Sequence, residues 1–156
     1  MQVALDRSFK VKELQVRFKP TRYKSPAKIT SPEHVRQILL PVIKGQPREL
    51  LFSLALDSPN NLIGFEVVSQ GTSDASLATP RELMKAVILT NACAFIVAHN
   101  HPSGNLEPSQ EDRNVATRIA HAAQILDLNF LDFLILTDTG YYSFAQSEPS
   151  VLKPIK

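Results

Sequence analysis

The spacing of apolar residues along the chain predicts strands that alternate with helices. Three stretches combine a helix-capping residue with apolar positions three or four apart, which is typical of amphipathic helices. They cover residues 31–43, 79–89 and 109–126, capped by Ser31, Thr79 and Ser109. Pro41 lies inside the first stretch and is expected to kink or shorten that helix.

Strands are predicted where apolar residues are continuous or alternate with polar ones. The stretches "LLFSLAL" and "LIGFEVVS" flank the turn-forming "DSPNN" and predict a hairpin. "AFIVA" predicts a buried strand that runs into His99, and "FLDFLILTD" and "YYSFA" predict two closing strands. Leu14, Val16 and Phe18 alternate with polar residues and predict a further, half-exposed strand. Together these elements indicate an α/β fold with a central mixed sheet flanked by helices.

Length and composition indicate a single domain. A chain of 156 residues, of which 44% are hydrophobic, is long enough for one domain with its own core. We predict this domain at residues 28–148, after an N-terminal arm of residues 1–27 and before a tail of residues 149–156. The longest apolar run, residues 92–98, is far shorter than the roughly 20 residues of a membrane-spanning helix. Because the start lacks a signal-peptide core and Cys93 is the sole cysteine, we expect a cytoplasmic protein without an intrachain disulfide.

Basic side chains are concentrated in the N-terminal arm, although the net charge of the chain is only +2. Residues 1–28 contain eight lysines and arginines against two acidic residues. Such a patch is compatible with contact to nucleic acid or to an acidic partner. A solvated basic face is the commoner explanation, and no run of aromatic residues supports base stacking. Nucleic-acid contact through the arm is therefore a secondary hypothesis.

A candidate metal site lies where an apolar run ends, at "VAHNHPSGNLEPSQED". His99 and His101 are two residues apart, so on an extended chain both rings project from one face. Asp112 lies on the apolar stripe of the following helix, which faces the core. An unpaired buried carboxylate is unfavourable, whereas two imidazoles and one carboxylate can bind zinc and leave one coordination position open. The pattern predicts one zinc ion per chain, held by His99, His101 and Asp112.

Each half of this pattern also has a simpler explanation. Ser109 and Asp112 are spaced like a helix-capping pair, and many such pairs have no other role. A lone His-x-His is a weak metal signal. The combination of both at a compatible distance favours the metal site over coincidence.

Glu66 is a candidate proton acceptor. A zinc hydrolase needs such a group beside the reacting water, commonly a glutamate that is not a ligand. Glu66 interrupts "LIGFEVVS", a strand that is otherwise apolar on both faces. An edge strand with Glu66 in solvent, or an ion pair with a lysine, explains the residue equally well.

Taken together, Glu66, "HNHPSGNLEPSQED" and Asp112 resemble the signature of JAMM (MPN-plus) metallopeptidases. The surrounding stretches "EVVSQGTSDASLATPREL", "LDFLILTD" and "YYSFA" resemble the RadC family more specifically, over about residues 28–146. The resemblance implies a cytidine-deaminase-like fold, in which a central mixed sheet lies between helices.

The resemblance also implies roles for individual residues. His99, His101 and Asp112 would be the zinc ligands, and Glu66 would accept a proton from the reacting water. Ser109 would donate a hydrogen bond to the oxyanion formed during attack. Relatives with this signature cleave peptide or isopeptide bonds, so the implied activity is hydrolysis of an amide bond in a peptide or isopeptide substrate.

The chain departs from the RadC pattern at two places, and two other classes of enzyme can be excluded from its sequence. Longer RadC proteins carry a helix-hairpin-helix region where this chain has its basic arm, and Phe133 stands where many members have a histidine. A zinc deaminase would need His-x-Glu and Pro-Cys-x-x-Cys, which the chain lacks. The letters "HNH" match an HNH nuclease in spelling only. The remaining alternative is a non-enzymatic protein of the DNA-repair type that binds DNA or a partner and keeps a structural zinc.

Overall fold

A computed structural model describes residues 15–22, 24–26, 28–71 and 79–153 of the chain. The helices among these residues are α1 (Pro32–Ile43), α2 (Pro80–Leu89), α3 (Gln110–Ile125) and α4 (Phe144–Ser147). The strands are β1 (Leu50–Leu56), β2 (Leu62–Gln70), β3 (Ala94–Asn100), β4 (Asn129–Leu136) and β5 (Tyr141–Ser143). Within this part of the chain, no helix has both the length and the apolar character needed to cross a membrane.

The three predicted helices begin at the predicted capping residues. The side chains of Ser31, Thr79 and Ser109 each accept a hydrogen bond from a backbone N–H in the first turn of the helix that follows. Such bonds satisfy donors that have no partner inside the helix. Of the two effects expected of Pro41, shortening of α1 is wrong, because the helix continues to Ile43, and a kink stays a prediction. A proline this close to the end removes only one backbone hydrogen bond of the last turn.

The five strands form one mixed sheet in the order β2-β1-β3-β4-β5. The β1–β2 hairpin is antiparallel as predicted, β1 is also antiparallel to β3, and β4 is antiparallel to β5. The central pair, β3 and β4, is parallel. A parallel pair needs a crossover connection, and α3 provides it.

Helices cover both faces of the sheet, which confirms the predicted α/β architecture. On one face, α2 and α3 pack through Leu83, Val87, Val115 and Ile119 onto a cluster that includes Val97 and Phe133. On the other face, α1 packs through Val35 and Ile38 onto a cluster that includes Phe52 and Leu54. Strand β3 is buried along its whole length between these layers. The end of β3 that carries His99 therefore emerges from the centre of the domain.

Two predicted strands differ from the structure. The described residues 15–22 form no strand, and Leu14 lies outside the described residues. The strand predicted over residues 141–145 ends at Ser143, where α4 begins. Its end is determined by hydrogen bonds to the buried carboxylate of Asp132, which accepts from the Ser143 hydroxyl and, at 2.9 Å, from the Ala145 N–H. The predicted boundaries of the arm and tail at residues 28 and 148 stay predictions.

Candidate metal centre

Both histidines of the His-x-His pair lie on one side of the sheet at the end of β3. The His101 N–H donates to the Leu136 carbonyl at 2.9 Å, so the ladder between β3 and β4 continues one residue past Asn100. The chain then turns at Gly104, whose φ of 80° suits glycine and whose N–H donates to the His101 carbonyl. The two imidazole rings consequently lie 4.6 Å apart between centroids, at an interplanar angle of 84°.

The carboxylate of Asp112 faces these rings from the first turn of α3. Its Oδ2 accepts hydrogen bonds from the Ser109 N–H and the Ser109 hydroxyl, both at 2.7 Å. In return, the Ser109 Oγ accepts from the Asp112 N–H at 3.1 Å, which completes a capping box. The capping explanation and the metal-site explanation are therefore compatible. The box holds Asp112 in an orientation that leaves Oδ1 directed at His99.

The three side chains form a compact set of donor atoms. The His99 Nε2 lies 3.2 Å from Asp112 Oδ1, the His101 Nε2 lies 4.0 Å from Asp112 Oδ2, and one ligand atom from each residue falls within 4.8 Å of the others. Ligands about 2.0–2.1 Å from a tetrahedral zinc ion would be about 3.3 Å apart. Only small side-chain shifts separate the observed spacing from that value, so the geometry fits a divalent cation.

Burial strengthens this fit. His99 and Asp112 are each 8% exposed. The His99 Nε2 atom is buried and has no hydrogen-bond partner among the described residues, although it lies 3.2 Å from Asp112 Oδ1. An unsatisfied buried nitrogen is unfavourable by about 1–3 kcal/mol. A metal ion coordinated by this nitrogen would remove that cost.

The second histidine is oriented for the same role. The His101 Nδ1 lies 2.7 Å from the Asn105 carbonyl oxygen. Since a carbonyl only accepts, Nδ1 carries the proton and donates, and the lone pair of the neutral ring is on Nε2. Second-sphere hydrogen bonds of this kind commonly orient histidine ligands. His101 thus presents the unprotonated nitrogen toward Asp112.

The electrostatics of the site favour an ionised Asp112. Burial alone would raise the pKa of this carboxyl. The neighbouring His99 ring and the two hydrogen bonds from Ser109 outweigh burial and lower the pKa to about 2. At neutral pH the site therefore contains a negatively charged oxygen beside two imidazoles, which is a donor set suited to zinc.

The ring of Phe133 packs against the ring of His99. The two rings are 5.5 Å apart and nearly parallel, at 20°, and Phe133 also contacts Phe144 at 5.4 Å. Phe133 is 1% exposed. Phe133, which stands where many members of the family have a histidine, is thus an apolar neighbour that limits rotation of the His99 ring.

Glu66 lies apart from the three ligand candidates. Glu66 on β2 pairs with Ser53 on β1, and Ser53 pairs with Val97 on β3. Glu66 is therefore two strands away from β3, at the level of a residue that precedes His99 by two positions. Strand geometry puts the Cα atoms of Glu66 and His99 roughly 12 Å apart. One Glu66 oxygen lies 3.6 Å from the Lys85 ammonium, and the other is buried without a hydrogen-bond partner among the described residues. The ion pair between Glu66 and a lysine, which is one of the explanations that the sequence left open, is therefore present.

Glu49 is a carboxylate that the sequence analysis did not single out. The antiparallel β1–β3 ladder ends at the pair Leu51–His99, and Glu49 lies two residues before Leu51, directly ahead of β1. Glu49 is half-buried, and its carbonyl accepts from the Gly71 N–H at 3.0 Å. Glu49 is therefore a second candidate carboxylate at the end of the sheet that carries the two histidines.

The side chain of Asn100 holds the start of β1 against the site. Its Oδ1 accepts from the Leu50 N–H at 2.7 Å, and its Nδ2 donates to the Arg48 carbonyl at 3.2 Å. Asn100 lies between the two histidines and is 3% exposed. These bonds fix the backbone on both sides of Glu49.

Comparison with known proteins gives consistent matches. Residues 29–149 match the RadC-like JAB domain. A UPF0758 protein from Aliivibrio salmonicida (strain LFI1238) is 42% identical over 118 residues, which are 76% of this chain and 53% of the relative. A UPF0758 protein from Pseudomonas fluorescens (strain SBW25) is 38% identical over 136 residues, which are 87% of this chain and 61% of the relative. The chain therefore spans little more than half the length of these relatives.

Proposed function

The chain belongs to the RadC-like JAB domain family, and we propose that it is a zinc-dependent hydrolase of amide bonds, acting as a peptidase or isopeptidase. The observation that carries this proposal is the convergence of His99, His101 and Asp112, with donor atoms within 4.8 Å of one another. Two imidazoles and one carboxylate would hold a divalent cation and leave one position open, as in catalytic rather than structural zinc sites. When bound, zinc would lower the pKa of a coordinated water to about 7 and polarise a carbonyl group.

The chain must also supply a carboxylate that accepts a proton from water and passes it to the leaving nitrogen. The family resemblance assigns this role to Glu66, and Glu49, directly ahead of β1, is a further candidate. We propose Glu49 as the first candidate because it directly precedes β1, the strand next to the histidines, whereas Glu66 is roughly 12 Å from His99 between Cα atoms. The ion pair of Glu66 with Lys85 also gives that carboxylate a structural explanation.

Ser109 is proposed to assist in a way that depends on its capping box. Its hydroxyl donates to Asp112 Oδ2 at 2.7 Å, so the hydroxyl proton is already engaged. Donation to an oxyanion would require this proton to turn away from Asp112. The first role of Ser109 is therefore to orient the ligand carboxylate, and donation to the transition state is a second role that follows a rotation of the hydroxyl.

Elemental analysis combined with four variants tests these roles. His99→Ala and Asp112→Ala should lose the metal, whereas Glu49→Gln and Glu66→Gln should retain it. Turnover is measured with a panel of fluorogenic peptide and isopeptide substrates. Loss of a general base should lower the rate by about 10²- to 10⁴-fold.

The pattern of losses decides between the carboxylates. A large loss in Glu49→Gln alone supports Glu49, and a large loss in Glu66→Gln alone supports Glu66. If no variant binds less metal than the wild type, or if the metal-free protein is as active as the loaded protein, the metallohydrolase proposal is wrong.

The second candidate function is binding of DNA or a partner without catalysis, with the metal in a structural role. It is favoured by the basic residues of the arm, eight against two acidic ones over residues 1–28. Under this alternative, DNA binding should weaken steeply with salt and should survive both glutamate substitutions. Turnover by the loaded protein that is absent from Asp112→Ala would exclude it.

A further inference from the structure

An ion pair joins the first turn of α3, which carries Asp112, to the C-terminal part of the domain. The Arg113 Nε and Nη2 atoms donate to the two carboxylate oxygens of Glu148 at 2.9 and 2.7 Å. Two such bonds from one guanidinium fix the orientation of both groups relative to each other. The arginine beside the candidate ligand is therefore held in place by a residue 35 positions later in the chain.

The same guanidinium also holds the backbone that orients Asp112. The Arg113 Nη1 atom donates to the Pro108 carbonyl at 2.9 Å and lies 3.3 Å from the Ser109 carbonyl, to which it also donates. The Pro108 carbonyl and the Ser109 N–H belong to one peptide group, which is planar and rigid. That N–H donates to Asp112 Oδ2 at 2.7 Å. Because the group is rigid, the bond from Arg113 at one end fixes the direction of the N–H at the other end.

Glu148 is itself fixed by neighbouring elements. It ends α4, where its N–H donates to the carbonyl of the buried Phe144 at 2.9 Å. The Tyr142 hydroxyl donates to Glu148 Oε1 at 2.7 Å. The hydrogen bonds from Arg113 and Tyr142 lower the pKa of Glu148 to about 2. At neutral pH the carboxylate is therefore ionised, as a strong bond to the guanidinium requires.

A second ion pair in the same domain has the same chemistry in a different place. On α1, Arg36 Nε donates to Glu33 at 3.0 Å, and Arg36 Nη1 donates to the Asp138 carbonyl at 2.9 Å. This arginine also combines a glutamate partner with a backbone carbonyl, but α1 packs on the other face of the sheet from α3. Exposed ion pairs contribute little to stability. The two pairs should therefore differ in their effect on metal binding more than in their effect on the fold.

We propose that Arg113 and Glu148 are positioning residues of the candidate metal centre. Glu148 holds the guanidinium of Arg113, and the guanidinium holds the peptide group before Ser109 in the orientation that donates to Asp112. Neither residue is proposed as a ligand. The inference rests on the proposed function, because it requires that Asp112 bind a metal ion.

Zinc affinity of the full chain, measured by competition with a chromophoric chelator, tests this inference. Substitution of groups that hydrogen-bond directly to a ligand commonly weakens metal binding by about 10- to 100-fold. Since Arg113 acts one bond further out, the affinity should fall about five- to tenfold in Arg113→Ala and about three- to fivefold in Glu148→Ala. The double variant should stay within about twofold of Arg113→Ala, because Glu148 acts through Arg113. The milder Glu148→Gln, which keeps the size of the side chain, should lower the affinity in the same direction.

The matched variants are Arg36→Ala and Glu33→Ala, in which zinc affinity should stay within about twofold of the wild type. Urea unfolding with a chelator present measures the stability of every variant without its metal. A loss of zinc affinity in Arg36→Ala as large as in Arg113→Ala would mean that any loosening of the fold weakens binding, and it would overturn the proposal.

The sign of the change separates positioning from a simple effect of charge. If charge alone mattered, removing the cation Arg113 would tighten zinc binding and removing the anion Glu148 would weaken it. Positioning predicts that both substitutions weaken it, so changes in opposite directions overturn the proposal. Losses that add in the double variant overturn the role of Glu148. A wild type that binds no zinc would overturn the metal site and this inference together, whereas zinc binding that is equal in the wild type and Arg113→Ala would overturn the inference alone.

Discussion

Replacing Phe133 with leucine should weaken both the fold and metal binding, because this ring contacts the core and a candidate ligand at once. Phe133 is 1% exposed and makes two ring contacts, with His99 at 5.5 Å and with Phe144 at 5.4 Å. Buried aromatic pairs contribute about 0.5–1.5 kcal/mol each beyond their area. Loss of both contacts should lower the free energy of unfolding by about 1–3 kcal/mol.

Phe52→Leu is a matched control for this substitution. Phe52 is also fully buried, but it lies in the core cluster on the opposite face of the sheet and, among the residues that the structure describes, makes one ring contact, with Phe65 at 6.2 Å. Phe52→Leu should therefore lower the free energy of unfolding by about 0.5–1.5 kcal/mol. Both proteins are unfolded in urea with a chelator present, so that the comparison measures the metal-free fold.

Metal affinity separates the two variants more clearly. In Phe133→Leu the His99 ring loses the wall beneath it and regains rotational freedom, worth roughly 0.5–1.5 kcal/mol. Zinc affinity, measured by competition with a chromophoric chelator, should fall about three- to tenfold. In Phe52→Leu the affinity should stay within about twofold of the wild type. Equal zinc affinities in the two variants would refute the idea that Phe133 positions His99.

Three further predictions concern the backbone and electrostatics of the site. Because the pKa of Asp112 is lowered to about 2, its ionisation stabilises the metal-free fold above about pH 4, and this contribution of about 2 kcal/mol is lost as the pH falls toward 2. Urea unfolding from about pH 5 to about pH 2.5 should show a smaller acid loss in Asp112→Asn than in the wild type. Gly104→Ala should destabilise by about 1–2 kcal/mol because φ is 80° there, whereas Gly64→Ala, with open space around its Cβ, should change thermal stability little. Asn100→Ala should leave the Leu50 N–H without its partner, with a loss of about 1–3 kcal/mol and faster hydrogen exchange of that amide.

The parts of the fold that sequence predicted well depend on local signals. The starts of α1, α2 and α3 follow from a capping side chain and a proline or acid in the first turn, all within four residues. The cluster of candidate ligands was predictable for the same reason, since strand periodicity aligns His99 with His101 and helix periodicity turns Asp112 toward the core. Both arguments need only the residues of one continuous stretch.

The features that sequence missed depend on distant residues. The end of β5 is fixed by the Asp132 carboxylate on another strand, which no local pattern reveals. The backbone around Glu49 is held by the side chain of Asn100 on another strand, and Glu66 gains its partner from the packing of Lys85 on α2 against the sheet. The alternation at Val16 and Phe18 is that of a strand, but alternation alone does not supply a neighbouring strand to pair with.

The strand-to-helix junction that carries His99, His101 and Asp112 spans only fourteen residues. Closing so short a loop has a small entropic cost, and the cost rises only slowly with length. The candidate bases lie instead directly ahead of β1 and on β2, and these strands join β3 through contacts across some fifty residues of sequence. During folding, the junction can accordingly capture a cation before either glutamate has docked. Metal uptake and the onset of turnover should then be two separate kinetic events in refolding experiments, with a loaded but inactive species between them.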